Sequence, residues 1–293
     1  MKKRLSLTLC LVLALCLLTA CGKTEGAQST PSNASQGKIT AKVIEIDLTS
    51  EEYAFGVDKS QPELLEKVNR FIAEIKSNGT FEAICNNHFG DGTPVAVASA
   101  ALDPNKEQLV VATNAAFAPF EYTKGDSYYG IDMEIAAKLA EYLGQELVIQ
   151  NMDFDAVCLS VGQQKCDIAM AGLTIKEDRL EYVNFSSSYY SASQKLIVSS
   201  NNTEFDACKD AAAVEAILNQ KDSSTKIGVQ NGTTGQLYCQ GDEEWDFAGF
   251  KAQAVGYKNG SLAVQDLLNG NINYVIIDSA PAVCITEAIN AMQ

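Results

Sequence analysis

The sequence is poor in the residues that metal centres and acid–base catalysts most often use. Its 293 residues include one histidine, His88, and no Cys-x-x-C pair. The pattern therefore disfavours a zinc site, and we expect neither a metal nor another cofactor. Basic residues are also few, because 22 lysines and arginines stand against 37 aspartates and glutamates, which leaves a formal net charge of −15. Such a charge disfavours nucleic acids and anionic membrane surfaces as partners.

The first twenty residues are typical of an export signal. A basic start precedes an apolar run over residues 5–18, which is too short for a lasting membrane span. The end of this run, Leu18-Thr19-Ala20-Cys21, resembles the lipobox of bacterial lipoproteins. That resemblance implies cleavage before Cys21 and lipidation of its thiol, which would make the mature protein a lipoprotein that carries palmitate. An ordinary signal peptide is the alternative, and the polar stretch over 21–38 predicts a flexible tether.

Six further cysteines follow Cys21. Export permits disulfide bonds, but the spacing assigns no pairs, and six unpaired thiols fit the sequence equally well. These cysteines are Cys85, Cys158, Cys166, Cys208, Cys239 and Cys284.

From residue 108 onward the pattern predicts an α/β fold. Short β-branched runs alternate with amphipathic segments, and 46% of all residues are hydrophobic, enough for a sizeable core. In the clearest helix, apolar residues recur every four positions from Ile131 to Leu143, and Gly144 marks its end. The predicted strands cover residues 109–113, 147–152, 167–171, 195–199, 226–230 and 273–278.

The segment before residue 91 has secondary structure of its own. We expect strands over 42–47 and 53–57, a helix with Pro62 in its first turn, and a short helix over 81–88. Residues 91–107 are rich in small residues and proline, which predicts a linker.

Seven motifs in order resemble the solute-binding proteins of bacterial ABC importers for amino acids. The resemblance implies two three-layer α/β lobes joined by a two-strand hinge, the type II periplasmic-binding-protein fold, with a free amino acid bound between the lobes. The motifs are ATNAAFAPFEY at 112–122, GIDME at 130–134, NMDF at 151–154, AGLTI at 171–175 with Arg179, NFS at 184–186, GVQNGTTG at 228–235 and VIID at 275–278.

The order of segments departs from the family. In the family, the strand that ends at Asp278 is followed by a helix, a return strand to the first lobe and two closing helices. Residues 41–90 resemble that tail but precede the motifs. We therefore expect a circular permutation in which the linker over 91–107 joins the family's usual termini. A duplicated fragment fused to a truncated binding protein is the alternative.

This permutation predicts which segments form each lobe. We expect residues 53–90 and 108–189 in the first lobe, and residues 39–48 and 195–293 in the second. The chain then crosses between lobes near 49–53 and 190–195, and these two crossings form the hinge. Ligands of such folds lie at the carboxyl ends of the strands.

A free amino acid is a zwitterion, so its carboxylate needs a cation or a set of N–H and O–H donors. Arg179 offers a guanidinium fork that can hold a carboxylate through two hydrogen bonds. Thr233 and Thr234 lie where a helix begins, and backbone N–H groups there favour an anion. Without the resemblance, an exposed surface charge would explain Arg179, and a plain turn with a helix N-cap would explain the two threonines.

The ammonium group needs an anion or carbonyl groups. The resemblance assigns this role to Asp278, with the carbonyl of Ala171 or Gly172 and the hydroxyl of Thr174 sharing it. Asp278 also precedes a predicted helix, so a helix N-cap would explain it without a ligand.

The resemblance places Asn114, Phe117 and Phe154 in the pocket for the ligand side chain. The two aromatic residues match positions that sandwich the ligand in the family. Asn114 stands where members that bind basic side chains often have an aspartate. We therefore expect a neutral amino acid.

The resemblance implies a monomer that delivers its ligand to a permease and an ATPase. Two other functions fit the sequence less well. A dehydratase-type enzyme on this fold needs a poised acid or base, and His88 lies outside the motifs. A ligand-sensing module for a membrane receptor is the other alternative.

Replacing Cys21 with serine removes the thiol that a lipid would modify. We expect the Cys21→Ser protein to leave the membrane fraction, because a polar tether alone gives no membrane affinity. Immunoblotting of fractionated cells measures this change, with Cys16→Ala as the control inside the apolar run. Continued anchoring of the serine variant would contradict the lipobox.

Overall fold

The computed structural model describes residues 38–293, so the predicted export signal, Cys21 and almost all of the tether lie outside the described residues. The helices are α1 (Pro62–Ser77), α2 (Thr80–Phe89), α3 (Ile131–Leu143), α4 (Phe154–Gly162), α5 (Ala211–Leu218), α6 (Thr234–Gln240), α7 (Gly260–Leu268) and α8 (Ser279–Ala291). A 3₁₀ turn covers Asp178–Glu181. Between residues 38 and 293, no helix is both long and apolar enough to cross a bilayer.

Two five-stranded sheets organise two lobes. The strands are β1 (Ala41–Ile44), β2 (Glu51–Tyr53), β3 (Gly56–Asp58), β4 (Gln108–Thr113), β5 (Ala116–Phe117), β6 (Glu121–Lys124), β7 (Ser127–Tyr129), β8 (Glu146–Asn151), β9 (Ile168–Ala169), β10 (Val183–Phe185), β11 (Tyr190–Ala192), β12 (Gln194–Ser199), β13 (Lys226–Gln230), β14 (Gln253–Tyr257) and β15 (Tyr274–Asp278). The first lobe contains the sheet β10-β3-β9-β4-β8, and the second lobe contains the sheet β1-β12-β15-β13-β14. The predicted two-lobe α/β fold is confirmed.

Alternation along the strands gives the first lobe its three layers. Successive side chains of a strand point to opposite faces of the sheet. Leu109 and Val111 of β4 accordingly pack in the same core as Ile135 of α3. Their neighbour Val110 packs on the other face, against Val157 of α4.

The second lobe follows the same rule. Val275 of β15 belongs to the core formed with Ala263 of α7 and Ile285 of α8. The next residue, Ile276, packs instead with Val214 of α5 and Tyr238 of α6. Both sheets are therefore covered by helices on their two faces.

The leading part of the described chain takes part in both lobes. Strand β1 pairs with β12 at the edge of the second sheet, and β3 lies between β9 and β10 in the first sheet. Between them, β2 pairs in antiparallel fashion with β11, with Tyr53 opposite Tyr190. We call this two-stranded element the β2–β11 ribbon. The chain passes from one lobe to the other at β2 and again at β11.

Three predicted strands differ from the structure. The strand predicted over 42–47 ends at Ile44, because Ile46 donates its N–H to the Ile44 carbonyl at 2.8 Å and turns the chain. The strand predicted over 53–57 is divided between β2 and β3, which belong to different sheets. The strand predicted over 167–171 is reduced to the two residues of β9, since Gly172 bends the chain with φ +54°.

The helices of the leading segment are confirmed and cover the first sheet. Helix α1 begins at Pro62 and buries Phe71 and Ile72 in the core. Residues 91–107 contain no helix or long strand and run along the first lobe. There the N–H of Ala100 donates to the carbonyl of Leu147 at 2.8 Å.

Phe55 tests whether the leading segment is part of the first core. Its side chain is 1% exposed and stacks on Tyr189 at 4.3 Å between ring centroids. We expect Phe55→Ala to lower the free energy of unfolding by roughly 3 to 5 kcal/mol, since truncation leaves a cavity. Urea unfolding measures the loss. The control is Phe89→Ala, because Phe89 is 49% exposed; equal effects of the two changes would contradict a core position for Phe55.

Candidate functional site

Arg179 lies between the two lobes and is buried. Its Nη1 donates to the carbonyl of Thr174 at 2.7 Å, and its Nη2 donates across the cleft to the carbonyl of Gly232 at 3.2 Å. The ring of Phe154 lies 5.4 Å from the guanidinium carbon, within cation–π range. The first lobe thus holds Arg179 from two sides and aims it at the second lobe.

The turn that begins α6 approaches the first lobe closely. Gly232 has φ +74°, and a Cβ there would lie 3.1 Å from the side chain of Asp155 in the first lobe. Thr233 follows as the helix N-cap, and its hydroxyl donates to the Gln230 carbonyl at 2.9 Å. Glycine is therefore needed both for the turn and for the approach of the lobes.

Asp278 is buried at the end of β15. Its side chain makes no capping hydrogen bond to α8, and instead its Oδ1 accepts from the Tyr53 hydroxyl at 2.5 Å. Burial and the nearby charge of Glu51 raise the pKa of Asp278 to about 7. A positive group placed beside this carboxyl would favour its charged form.

Glu51 joins groups from both lobes, and sequence reasoning did not identify it. The Thr174 hydroxyl donates to one of its oxygens at 2.6 Å, and the Gln194 amide donates to the other at 3.0 Å. The same amide nitrogen lies 3.1 Å from the hydroxyl of Thr234. Thr174 and Thr234, predicted as ligand groups in different lobes, are thus linked through Gln194 and Glu51.

Gly172 lies between two aromatic rings. A Cβ on it would lie 3.1 Å from the ring of Phe117 and 3.3 Å from that of Tyr53. Its N–H donates to Asp132 at 2.9 Å, and burial raises the pKa of Asp132 to about 7. The preceding residue, Ala171, is fully buried in the core on the α4 side.

Asn114 makes contacts in both lobes. Its amide nitrogen donates to the Met152 carbonyl at 2.6 Å, and its amide oxygen accepts from the Gln230 side chain of the second lobe at 3.0 Å. Phe117 is buried near Phe120, with 6.3 Å between ring centroids. Asn114 and Phe117 therefore line the first-lobe side of the cleft, and Gln230 faces them.

Glu121 lies in the motif at 112–122 but was not predicted as a site residue. It is fully buried, and neither carboxylate oxygen has a hydrogen-bond partner. Burial, with the charges of Asp132 and Asp278 adding to it, raises the pKa of Glu121 well above its ordinary value. It lies directly opposite Phe117 in the β5–β6 pair, so both side chains lie on one face.

The fold and these contacts define a two-lobed binding protein, and comparison with known proteins gives its family. Residues 109–276 match the family described as bacterial extracellular solute-binding proteins, family 3. This match covers more than half of the chain, and the chain therefore belongs to that family. The family predicted from the seven motifs is confirmed.

Individual relatives give the context. The chain is 34% identical over 108 residues to the arginine-binding extracellular protein ArtP of Bacillus subtilis, covering 37% of this chain and 42% of ArtP. It is 29% identical over 175 residues to ABC transporter arginine-binding protein 1 of Escherichia coli, covering 59% and 64%. The chain thus spans less than two thirds of the length of each of these relatives.

A solved structure is similar over a comparable part of the chain. It is the ancestral amino acid-binding protein AncCDT-1, a precursor of cyclohexadienyl dehydratase, with a TM-score of 0.53 and 28% sequence identity. The match covers 62% of this chain and 75% of that protein. The similarity supports the two-lobe fold.

The pKa of Asp278 predicts a pH dependence. Folding raises this pKa from 3.8 to about 7, so the folded protein retains a proton that the unfolded chain releases. The stabilising contribution is present below about pH 4 and is lost as the pH rises through about 7. We expect Asp278→Asn to gain stability relative to the parent protein over this range, measured by urea unfolding of the ligand-free protein.

The matched control is Asp222→Asn. Hydrogen bonds from Ser224 lower the pKa of this exposed carboxyl, so its effect has the opposite sign and falls at lower pH. A stability difference between Asp278→Asn and the parent protein that stays constant from pH 4 to pH 7 would contradict the raised pKa.

Proposed function

We propose that this protein captures a free amino acid between its lobes by hinge closure and delivers it to an ABC importer. The observation that carries the proposal is the pair of contacts across the cleft, where Arg179 reaches Gly232 and Asn114 reaches Gln230. Contacts from two lobes meet only when the cleft is closed. A ligand held by both lobes therefore shifts the population toward the closed form.

The carboxylate of the ligand would bind Arg179. In this structure the guanidinium donates hydrogen bonds to the carbonyl oxygens of Thr174 and Gly232. A carboxylate is a better acceptor, because a charge-assisted pair is stronger than a bond to a neutral carbonyl. The hydroxyls of Thr233 and Thr234 lie on the opposite lobe and would complete this half of the site.

The ammonium group would bind Asp278. A buried carboxyl with a pKa of about 7 is half ionised near neutral pH, and an adjacent ammonium would complete its ionisation. The Tyr53 hydroxyl now occupies one of its oxygens. Thr174 and the Ala171–Gly172 carbonyls would share the ammonium, in keeping with the motif in which they lie.

The side-chain pocket favours a ligand with several N–H donors. Asn114 alone led to the expectation of a neutral amino acid. Glu121 changes this, because its two oxygens and the Oε1 of Gln230 are buried acceptors without donors. Buried polar atoms are nearly always paired, so a donor-rich side chain fits this pocket best. We infer arginine as the first candidate, in agreement with the arginine-binding relatives.

We further propose that the chain is circularly permuted, with lobes formed by 53–90 plus 108–189 and by 39–48 plus 195–293. The position of β3 inside the first sheet and of β1 at the edge of the second supports this. A detached duplicate would not place strands in both sheets. The linker over 91–107 and the hinge near 49–53 and 190–195 follow from the same arrangement.

We also propose an extracytoplasmic protein anchored by lipid at Cys21. The export signal and lipobox support this, and ArtP is itself described as extracellular. A permease and an ATPase would be its partners, with the protein acting as a monomer.

A dehydratase activity is the second candidate. It is favoured by one observation, the raised pKa values of the buried carboxyls Glu121, Asp132 and Asp278, since a general acid needs its proton near neutral pH. Incubation of the purified protein with prephenate or arogenate separates the two functions. Turnover would replace the binding-only proposal.

A thermal-shift screen of the twenty amino acids, followed by calorimetry, tests the main proposal. Stabilisation grows with ligand concentration over its dissociation constant, so the size of the shift ranks the ligands by affinity.

We expect Arg179→Ala to weaken binding by roughly 2 to 4 kcal/mol, since the ligand carboxylate loses its charged partner. Glu121→Gln should reduce affinity for arginine more than for glutamine.

The matched control for this prediction is Arg70→Ala, because Arg70 is exposed on α1. We expect it to bind as the parent protein does. Equal affinities of Arg179→Ala and Arg70→Ala would remove Arg179 from the site, and no response to any amino acid would overturn the proposed function.

A further inference from the structure

Lys176 is a buried lysine whose charged end lies in the other lobe. It belongs to the first-lobe loop that also carries Thr174 and Arg179, and its side chain is 3% exposed. Its ammonium lies 2.9 Å from Asp242 and 2.7 Å from Glu244, both in the second lobe. The ring of Trp245 lies 4.5 Å away on a third side. A lysine is rarely buried unless it is paired, so this set of partners accounts for its position.

The loop over 241–249 that holds these partners is formed within the second lobe. Asp242 and Phe247 exchange two backbone hydrogen bonds across it, and the ring of Phe247 stacks on Tyr238 of α6 at 4.9 Å. The backbone N–H of Trp245 also donates to the Asp242 carboxylate at 3.2 Å. The loop therefore positions the Asp242 carboxylate by contacts within the second lobe, whereas Glu244 also accepts from the backbone N–H of Glu177 in the first lobe at 3.4 Å.

The loop over 242–246 is rich in negative charge. Four of the five residues over 242–246 are acidic. Like charges so close together repel, and a single ammonium placed among them offsets that repulsion. Burial by itself lowers the pKa of Lys176, but the hydrogen bonds that its ammonium donates to Glu244 and Asp242 outweigh this effect, so the pKa is raised and the side chain stays charged.

We propose that Lys176 together with Asp242, Glu244 and Trp245 forms an interlobe clasp that closes the cleft independently of ligand and slows ligand release. The clasp rests on the proposed function only for its effect on release. Lys176 is two residues from Thr174 and three from Arg179, so holding its side chain in the second lobe also holds the carboxylate-binding loop against Gly232. Lys176 is thus a positioning residue.

The experiment compares Lys176→Met with Lys258→Met. Lys258 also pairs across the lobes, with Asp153 at 3.1 Å, but both side chains are more than half exposed, so that pair contributes little. Small-angle X-ray scattering of the ligand-free protein measures the opening of the lobes. Stopped-flow dissociation of the amino acid found in the screen measures release.

We expect Lys176→Met to increase the radius of gyration without ligand and to speed dissociation by roughly tenfold, because the closed form becomes less populated. Lys258→Met should change neither quantity. A double variant on the other side, Asp242→Asn with Glu244→Gln, should reproduce both effects, and adding Lys176→Met to it should change little more.

Two results would overturn the clasp. One is a radius of gyration and a dissociation rate for Lys176→Met that match those of Lys258→Met. The other is a lowered melting temperature of Lys176→Met with unchanged opening and release, which would make the lysine merely structural. If no amino acid binds, the scattering comparison still decides the clasp, while the proposed function fails separately.

Discussion

The short pairing of β2 with β11 is the constraint on which the rest of the structure depends. The β2–β11 ribbon places Glu51 and Tyr53 between the two sheets, where each contacts groups of both lobes. Tyr53 donates to Asp278, and Glu51 accepts from Thr174 and Gln194. A buried polar atom that loses its partner destabilises the protein, so these bonds hold the ribbon and the cleft in one arrangement. The β2–β11 ribbon thus both connects the lobes and supplies polar groups to the cleft.

The cleft contains more buried carboxyl groups than buried cations. Glu121, Asp132 and Asp278 all have raised pKa values because burial disfavours their charged forms. Arg179 is a buried cation of the candidate site, and it donates to carbonyl oxygens. Among the described residues, no cation offsets this effect of burial at the three carboxyls, so they lack counter-ions. A zwitterion with a basic side chain would supply those counter-ions.

Much of the fold could be predicted from sequence, because periodicity reports burial directly. Apolar residues every four positions gave the helix from Ile131 to Leu143, and alternating runs gave most strands of both sheets. The division between β2 and β3 could not be predicted, since it depends on pairing with two distant partners. Glu51 and Gln194 were missed for the same reason: nothing local marks a polar residue that meets a partner more than a hundred positions away. Glu121 lies in the motif at 112–122, but only its burial without hydrogen-bond partners distinguishes it from an ordinary surface glutamate.

The clasp contains Trp245, the single tryptophan of the chain. Its indole lies 4.5 Å from the ammonium of Lys176, and its ring centroid lies 6.4 Å from that of Tyr238. Separation of the lobes would take the charge away from the ring and admit water in its place. Because the chain has no second indole, the intrinsic tryptophan fluorescence of the unlabelled protein would differ between the closed and the open arrangement of the lobes.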